Sequence, residues 1–543
     1  MSTFADILIT NAHVFCAHPE KPSAEAIAVK GNRIVFVGLT REATGWRGPS
    51  TREINGGGCT VMPGFIDSHF HMLSGSLNLD DIHLENVTSY EGFTATVKDY
   101  AAQHLEKHWL AGYGLRYSLG PGAKPMDRHL IDNVVADRPV VINAYDYHTA
   151  WANTLALKEA GLFHGGDYCE ATSCRREALG EIVLDEHGEA TGELRESASD
   201  PIEALLPQPD LAQKRSLLQK GLRLASQFGV TSVHEMEGND EQAALYAALE
   251  QAGELTVRVY ASYSITPDSP FEAIEKEAAV LKKKYRSNMV RGGSVKLFMD
   301  GVIESYTGLL VDEYADSPGT HGGSNYEVEH FNRTVVEADR LGLQVCVHSV
   351  GDLGVRRVLD AYEEACQRNG KRDSRHRVEH VEVVHPDDVH RFGELGVIAS
   401  MQPLHAPLSM GSGDVWLTRV GPQRWPFSFA WATLRESGAL LAFGSDWPVV
   451  SQNPMLGVSA TQNRQPWHEG IPHHRQSLTD AFLSYTRNAA FAEFQEHQKG
   501  QLKPGFLADM VLLSEDIFHY PAEDLARVHP RVTMVNGRIV FEN

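Results

Sequence analysis

Eight short apolar runs, most of them followed by an amphipathic helical segment, constrain the fold of this 543-residue chain more than any other feature. Runs of this length predict buried strands, and their alternation with helices predicts parallel strands joined by helical crossovers. Eight such units predict an α/β fold, the (β/α)8 barrel, in which functional residues lie at the carboxyl ends of the strands. The predicted strands are residues 60–72, 229–235, 256–264, 293–301, 343–352, 377–384, 396–403 and 440–449.

The two ends of the chain show a different pattern, with short strands in which apolar and polar residues alternate. The segments GNRIVF (31–36) and NGRIVF (536–541) are nearly the same, and each predicts one arm of a hairpin. We expect residues 1–61 and 486–543 to form one composite β-sandwich, in which each end covers strand edges that the other would expose.

The predicted barrel is interrupted after its first strand. We assign residues 62–74 and 216–485 to the barrel and residues 75–215 to an inserted subdomain. The insertion leaves the barrel at the carboxyl end of strand one, the face on which barrel active sites lie, so we expect it to form a lid or a pocket wall.

The acidic composition argues against some functions. The net charge is −22, from 71 acidic and 49 basic residues, which disfavours nucleic acid or an anionic membrane as a partner. No run approaches the ~18 apolar residues of a membrane span, and the N-terminus lacks a signal peptide's basic and apolar regions, so we expect a cytoplasmic protein. The six cysteines form no CxxC pair and predict reduced thiols, although Cys169 and Cys174 could pair or bind a metal.

Polar side chains with metal-ligand chemistry stand inside or at the ends of five predicted strands. Residues i and i+2 of a strand share one face, so His69 and His71 can grip one ion. Taken singly, each of these residues has an ordinary structural explanation, such as a strand tip, a snorkelling lysine or a turn aspartate. Because a closed barrel would bring them all together, their occurrence in order predicts a metal centre. The candidates are His69, His71, Lys296, His348, His380 and Asp446.

These residues, in this order, resemble the amidohydrolase superfamily of metal-dependent hydrolases. MPGFIDSHFHM (62–72) is similar to the superfamily's strand-one signature, and the two chain ends are similar to its flanking β-sandwich. GVTSVHE, VKLFMDG, SMQP, FGSDWPV and the segment DRPVVINAYDYHTAWANTLALKEAG (137–161) resemble the amidohydrolase-3 group, the YtcJ-like and N-substituted formamide deformylase-like proteins. The motifs are specific for fold and chemistry but not for substrate.

The resemblance implies a ligand set and a mechanism. One Zn²⁺ or similar ion would be held by His69, His71 and Asp446, and a second by His348 and His380. Lys296, carboxylated by CO2, would bridge them, because a bare ammonium would repel two cations. Metal-activated hydroxide would attack the substrate carbonyl, with Asp446 as general base and acid. The catalytic groups are thus expected to be Asp446, Lys296, His348 and His380.

The expected reaction is hydrolysis of a non-peptide C–N bond in a small N-substituted amide. Single-metal deaminases of the superfamily usually carry a glutamate three positions after the strand-five histidine, whereas Gly351 stands there and Asp352 comes one residue late. The alternatives are a deaminase or an ester or lactone hydrolase on the same centre, or a binding protein that retains the fold. A homodimer is expected from the family alone.

Six further residues are candidates for contact with the substrate. Three of them lie in the insertion, where their alternative role is packing inside that subdomain. The other three stand at or just beyond the ends of strands two, seven and eight. The candidates are His148, Trp151, Asn153, His234, Gln402 and Trp447. The paired His473 and His474 are expected to be solvated.

Overall fold

The computed structural model describes residues 4–119, 124–164, 180–407 and 415–543. Cys169 and Cys174 lie outside the described residues, and Cys16, Cys59, Cys346 and Cys366 are free thiols. No helix within the described ranges is long and apolar enough to cross a membrane.

Eight parallel strands form the central sheet, and each neighbouring pair in the order one to eight is hydrogen-bonded. The last strand meets the first through hydrogen bonds from Asp446 N to His69 O (2.7 Å) and from His71 N to Trp447 O (3.0 Å). The predicted (β/α)8 barrel is confirmed, with all eight strands where the apolar runs lie. The barrel strands, one to eight, are Phe65–Phe70, Val230–Glu235, Arg258–Ser264, Val290–Phe298, Gln344–Ser349, Arg377–His380, Ile398–Met401 and Leu440–Phe443.

Helices cover the outside of the barrel because their apolar faces pack against the buried strands. Helix Val328–Arg340, for instance, buries Phe331, Val335 and Ala338 and leaves its charged face in water. The barrel helices are Met72–Asn78, Leu211–Gln227, Asp240–Gln251, Ala279–Lys284, Val328–Arg340, Asp352–Asn369, Arg391–Leu395, Val415–Val420, Trp431–Glu436, Pro454–Asn463, Leu478–Ser484 and Arg487–Ala492.

Both chain ends contribute to a two-sheet β-sandwich, as the terminal patterns predict. Strand Thr60–Pro63 pairs with Met510–Leu513, so Met62 and Pro63 lie in the sandwich although the sequence division assigns them to the barrel. The two similar hairpins meet at their turns, where Asn32 Nδ2 donates to Asn536 Oδ1 at 3.0 Å. The sandwich strands are Ile7–Thr10, His13–Phe15, Ser23–Ala24, Ala26–Lys30, Arg33–Gly38, Arg52–Asn55, Thr60–Pro63, Met510–Leu513, Pro530–Val535 and Arg538–Glu542, with helix Thr40–Ala43.

The insertion after strand one has its own sheet and its own apolar cores. It contacts the carboxyl ends of the barrel strands, where the His148 and His348 ring centroids are 5.4 Å apart and Tyr145 Oη donates to Glu304 Oε1 at 2.6 Å. The insertion therefore forms one wall of the space above the barrel. Its strands are Ile82–His83, Leu110–Leu115, Val140–Ala144, Thr149–Ala152, Glu181–Leu184 and Ala190–Arg195, and its helices are Tyr90–Gln103, Arg128–Asp132, Thr154–Glu159 and Asp200–Glu203.

Candidate active site

The carboxyl ends of the barrel strands bring the predicted metal ligands together. Asp446 Oδ1 lies 3.1 Å from His71 Nε2 and 3.4 Å from His69 Nε2. Lys296 Nζ lies 3.3 Å from His69 Nε2. The His380 ring centroid is 4.8 Å from that of His69 and 4.5 Å from that of His348. All six candidate ligands therefore share one cluster, which lies in a cavity of about 1700 Å³ between the barrel and the insertion.

Two members of the cluster have unusual backbone geometry. Asp446 and His380 adopt positive φ angles of 62° and 74°, a region that side chains with a Cβ rarely occupy. His380 is the last residue of strand six, and Asp446 lies three residues beyond the end of strand eight. Strained backbone of this kind persists where the surrounding structure enforces it, typically at functional sites.

Burial sets the charge of the cluster. It lowers the pKa of His69, His348 and His380 well below the usual histidine value, with nearby positive groups acting in the same direction, so these imidazoles are neutral. Burial alone would raise the pKa of Asp446, but the adjacent His69 and His71 outweigh it and hold the carboxylate ionised. Neutral imidazole and ionised carboxylate are the forms that bind a metal ion.

Each of three histidines has one ring nitrogen held by an acceptor. His69 Nδ1 lies 2.7 Å from Glu379 Oε2, and His380 Nδ1 lies 2.8 Å from Gln402 Oε1. His348 Nε2 lies 3.1 Å from the carbonyl oxygen of Gly301. Because these acceptors require N–H donors, the other nitrogen of each ring keeps its lone pair, which is how proteins orient metal-binding histidines.

The remaining ligand candidates differ in exposure and charge. His71 is partly exposed; bonds to Asp446 and Glu237 outweigh its burial and raise its pKa to about 9. Lys296 is 1% exposed, and burial lowers its pKa, so its ammonium gives up a proton more readily than a surface lysine does.

The residues fit a divalent metal. Ligand atoms of His69, His71 and Asp446 lie within 4.8 Å of one another, as do those of His380, His405 and Asp446. Imidazole nitrogen and carboxylate oxygen are ligands that zinc accepts in catalytic sites. His405 is absent from the sequence-based ligand set because it stands in the loop after strand seven, beyond the apolar run that would have marked it.

Two of the six predicted substrate contacts line the cavity. His148 lies against His348, with its Nδ1 2.8 Å from Glu196 Oε2, and Trp447 packs beside Phe70 at the end of the first strand. Both are placed to meet a molecule in the cavity.

The other four are a correction to the sequence-based assignment, because they do not line the cavity. Trp151 packs in the apolar core of the insertion, and Asn153 caps helix Thr154–Glu159 through Ala156 N. His234 Nδ1 lies 2.7 Å from Arg377 Nη1 in a buried network, and Gln402 Oε1 is bonded to His380 Nδ1. Polar residues at strand ends can face sideways into such networks as well as into the site.

The sequence analysis does not find Glu379, which bonds to His69 from behind the cavity, or several carboxylates that line the cavity. Glu379 lies two positions after Arg377 on the same face of strand six, and that buried charged pair is the clearest signal that was available. The cavity carboxylates that lie outside the strands have no charged partner in an apolar strand that would mark them in the sequence. They include Asp146, Glu196, Glu237, Glu304 and Glu382.

A parallel barrel with a histidine and aspartate cluster at the carboxyl ends of its strands defines a metal-dependent hydrolase. Residues 52–541 match the model of the amidohydrolase family, and the chain belongs to that family. The resemblance seen in the sequence is thereby confirmed.

The chain is similar to three curated proteins along nearly its whole length. Protein LONG AFTER FAR-RED 3 of Arabidopsis thaliana is 32% identical, covering 99% of this chain and 92% of the plant protein. The putative amidohydrolase YtcJ of Bacillus subtilis (strain 168) is 28% identical, covering 91% of each chain. The N-substituted formamide deformylase of Arthrobacter pascens is 24% identical, covering 100% of this chain and 99% of the deformylase.

The fold also resembles solved structures. An uncharacterized metal-dependent hydrolase from Pyrococcus furiosus superposes with a TM-score of 0.69 at 26% sequence identity, over 93% of this chain and 98% of the other. The chain therefore shares its fold, over most of its length, with a metal-dependent hydrolase of known structure.

Proposed function

We propose that the protein hydrolyses a C–N bond, other than a peptide bond, in a small N-substituted amide. The observation that carries the proposal is the cluster of four histidines around Asp446 at the carboxyl ends of the barrel strands, in which His69 Nε2 and His71 Nε2 lie 3.4 and 3.1 Å from the aspartate. The similarity to a formamide deformylase supports an amide as the substrate class.

The proposed ligands are those of the cluster. His69, His71 and Asp446 would hold one ion, and His348 and His380 a second, with zinc as the metal that suits these donors. Lys296 would bridge the two as a carbamate formed from CO2, since its buried amine loses a proton readily. A bound divalent ion supplies Lewis acidity and lowers the pKa of water.

The proton transfers fall to Asp446. Its carboxylate is ionised and 6% exposed, so it can take a proton from water that attacks the carbonyl and pass that proton to the departing nitrogen. Atoms balance as one water added and one carboxylic acid and one amine released. Trp447 and the insertion form part of the wall of the cavity in which this step would take place.

A further observation favours amide cleavage over ring deamination. At Gly351, the third position after His348, an added Cβ would overlap the backbone carbonyl oxygen of Leu309, so a glutamate side chain has no room there. The nearby Asp352 accepts from Val311 N at 2.8 Å and is thereby held by the backbone. The chain thus offers no glutamate at this position to protonate a ring nitrogen.

The test combines metal content with a panel of substrates. Protein purified without chelator is assayed for metal per chain by plasma mass spectrometry, and for hydrolysis of N-formyl and N-acetyl amines, of esters and of aminated rings. The proposal expects about two ions per chain, amine release from the amides, and loss of activity after chelation that zinc with bicarbonate restores.

The alternatives give different results. Ammonia release from aminated rings would identify a deaminase, and cleavage of esters alone would identify an ester or lactone hydrolase. Metal-loaded protein inactive on the whole panel would contradict the proposal and favour a binding protein.

A further inference from the structure

Three carboxylates that come from distant parts of the chain line the cavity. Asp146 belongs to the insertion, Glu304 to the loop after strand four, and Glu382 to the loop after strand six. Asp146 and Glu304 are joined through two adjacent tyrosines, since Tyr117 Oη donates to Asp146, Tyr145 Oη donates to Glu304, and the two ring centroids lie 6.1 Å apart. Burial and then the charges of Glu382 and Asp146 also raise the pKa of Glu304 to about 8. Carboxyl groups in such a site either keep a proton or bind a cation, and a bound cation favours the ionised form.

Imidazoles, rather than lysine or arginine, supply the positive charge near these carboxylates: Glu196 and then Asp146 outweigh burial and raise the pKa of His148 to about 9. No Lys or Arg nitrogen in the described ranges lies within 4.0 Å of these three carboxylates, whose nearest ion-pair partner is His405, 3.7 Å from Glu382. Arg116 and Lys296 are the only Lys or Arg side chains among the described lining residues, and Lys296 lies against His69. These three side chains therefore form a carboxyl-rich part of the cavity wall, here called the acidic wall, with no lysine or arginine partner among the described residues.

One oxygen of Asp146 is independent support for a ligand. Its Oδ1 accepts from Tyr117 Oη and from His148 N, at 3.2 and 3.1 Å. Its Oδ2 is buried and has no hydrogen-bond partner among the described residues, although the side chain lines the cavity and the residue is 8% exposed. A buried acceptor left unpaired is unfavourable, and a donor on a bound ligand would satisfy it.

Aromatic side chains stand beside the same carboxylates. Tyr145 Oη donates to Glu304 and Trp416 Nε1 donates to Glu382, both at 2.6 Å. The Tyr117 and Tyr145 rings meet edge to face with centroids 6.1 Å apart. Carboxylates combined with aromatic rings are how proteins bind ammonium and guanidinium groups.

The acidic wall is close to the reaction centre. The His405 ring bridges the two, with Nδ1 3.7 Å from Glu382 Oε1 and Nε2 3.8 Å from Asp446 Oδ2. A group held at the wall thus lies about one imidazole ring away from the proposed proton acceptor.

We infer that the substrate is a small amide with a cationic nitrogen, an ammonium or guanidinium, a few bonds from the scissile C–N bond. Asp146, Glu304 and Glu382 bind that cation. This inference rests on the proposed amide hydrolysis and adds the charge of the substrate to it.

Matched substrates test the inference. N-formyl-1,4-diaminobutane and N-pentylformamide differ only in an ammonium replaced by a methyl group, and the N-acetyl pair is used in the same way. We expect kcat/KM for the cationic member to exceed that of the neutral member by about tenfold or more, the size of one buried hydrogen bond to a charged group. Equal rates, or a faster neutral member, would overturn the inference while leaving the proposed function intact.

Substitutions of the carboxylates test which residues cause the preference for a cationic substrate. Asp146→Asn and Glu304→Gln are each expected to reduce the ratio of cationic to neutral kcat/KM several-fold, about the loss of one charge-assisted contact. Asp99→Asn, an exposed carboxylate-to-amide change in the same insertion, is the matched control and should keep the ratio. A ratio that survives both cavity variants would exclude these carboxylates as the cation site.

Two measurements separate the possible failures. Calorimetry with 1,4-diaminobutane and the uncharged pentan-1-ol on the metal-loaded protein reports cation binding without hydrolysis, and the diamine should bind about tenfold more tightly. If no amide is hydrolysed but the diamine still binds more tightly, the proposed function fails and the cation site stands. If Glu304→Gln loses one metal ion per chain, the carboxylates hold a metal and the inference is overturned.

Discussion

His69 and Glu379 form a hydrogen bond of 2.7 Å between two side chains that are both fully buried. Glu379 also forms an ion pair with Arg377, whose Nε and Nη2 lie 2.8 and 2.9 Å from its two carboxylate oxygens. The same guanidinium contacts His234 and the Ser68 carbonyl. One carboxylate thus fixes the orientation of a metal-ligand candidate and neutralises a buried arginine.

The variant Glu379→Gln is expected to weaken metal binding by about 10–100-fold, the usual effect of removing a carboxylate behind a metal-binding histidine. It should also lower the stability of the metal-free protein by about 3–5 kcal/mol, because Arg377 loses its counter-charge in the interior. Competition with a chelator and unfolding of the apoprotein measure the two effects. Glu394→Gln, at an exposed position, is the control, and wild-type metal affinity in Glu379→Gln would contradict the assignment.

Asp446→Asn is expected to reduce kcat by about 10²–10⁴-fold, the range for loss of a general acid or base. The reason is that the amide cannot accept the proton that the ionised carboxylate takes. Turnover is measured per bound metal ion, so that loss of a ligand does not mimic loss of the base. Asp137→Asn, an exposed change in the insertion, serves as control, and a metal-replete Asp446→Asn with more than about a tenth of wild-type kcat would refute the role.

The fold could be predicted because barrel strands are buried on both faces and therefore read as apolar runs. His69, His71, Lys296, His348 and His380 interrupt those runs with polar side chains, so the sequence alone marks them as candidates. His405 and Glu304 lie in loops without periodicity, and only the closed barrel and the packed insertion reveal that they reach the same cavity.

The incorrect assignments have a common physical origin. His234 and Gln402 do lie at strand ends, but a side chain there can bond to a polar residue of another strand: His234 bonds to Arg377 across the barrel, and Gln402 bonds to His380 of the neighbouring strand. Asn153 is read more simply as a helix cap, since it precedes an apolar helical segment. His474, expected to be solvated, is 2% exposed, whereas its neighbour His473 is exposed.

Gly351→Ala is expected to lower stability by roughly 1–3 kcal/mol, the usual cost of forcing extra atoms into a packed site. The added Cβ would overlap the Leu309 carbonyl oxygen, and the segment that must move follows the metal-ligand candidate His348 by three residues. Thermal unfolding with and without zinc measures the effect. Gly45→Ala, where a Cβ meets nothing within 4 Å, is the matched control, and equal stability of the two variants would count against the close packing.

His474 should make the stability of the protein depend on pH. Burial, followed by the charge of Arg464, lowers the pKa of His474 from 6.5 to about 4, and its Nδ1 has no partner among the described residues. The unfolded chain therefore binds a proton between these pH values that the folded chain does not. The free energy of unfolding therefore has its full value, as far as His474 is concerned, above about pH 6.5. It decreases as the pH drops towards about 4, and below that pH it decreases no further.

The predicted size of this loss is roughly 3 kcal/mol for a shift of this extent. His474→Gln keeps an N–H donor near the Pro426 carbonyl oxygen, which His474 Nε2 contacts at 3.0 Å, but cannot take up the proton. Its unfolding free energy should fall less than that of the wild type between about pH 7 and pH 4.5. His473→Gln, at the exposed neighbouring position, should follow the wild type, and both variants keep every metal-ligand candidate, so any titration of the metal centre cancels between them. Parallel curves for all three proteins would show that His474 takes no part in the pH dependence.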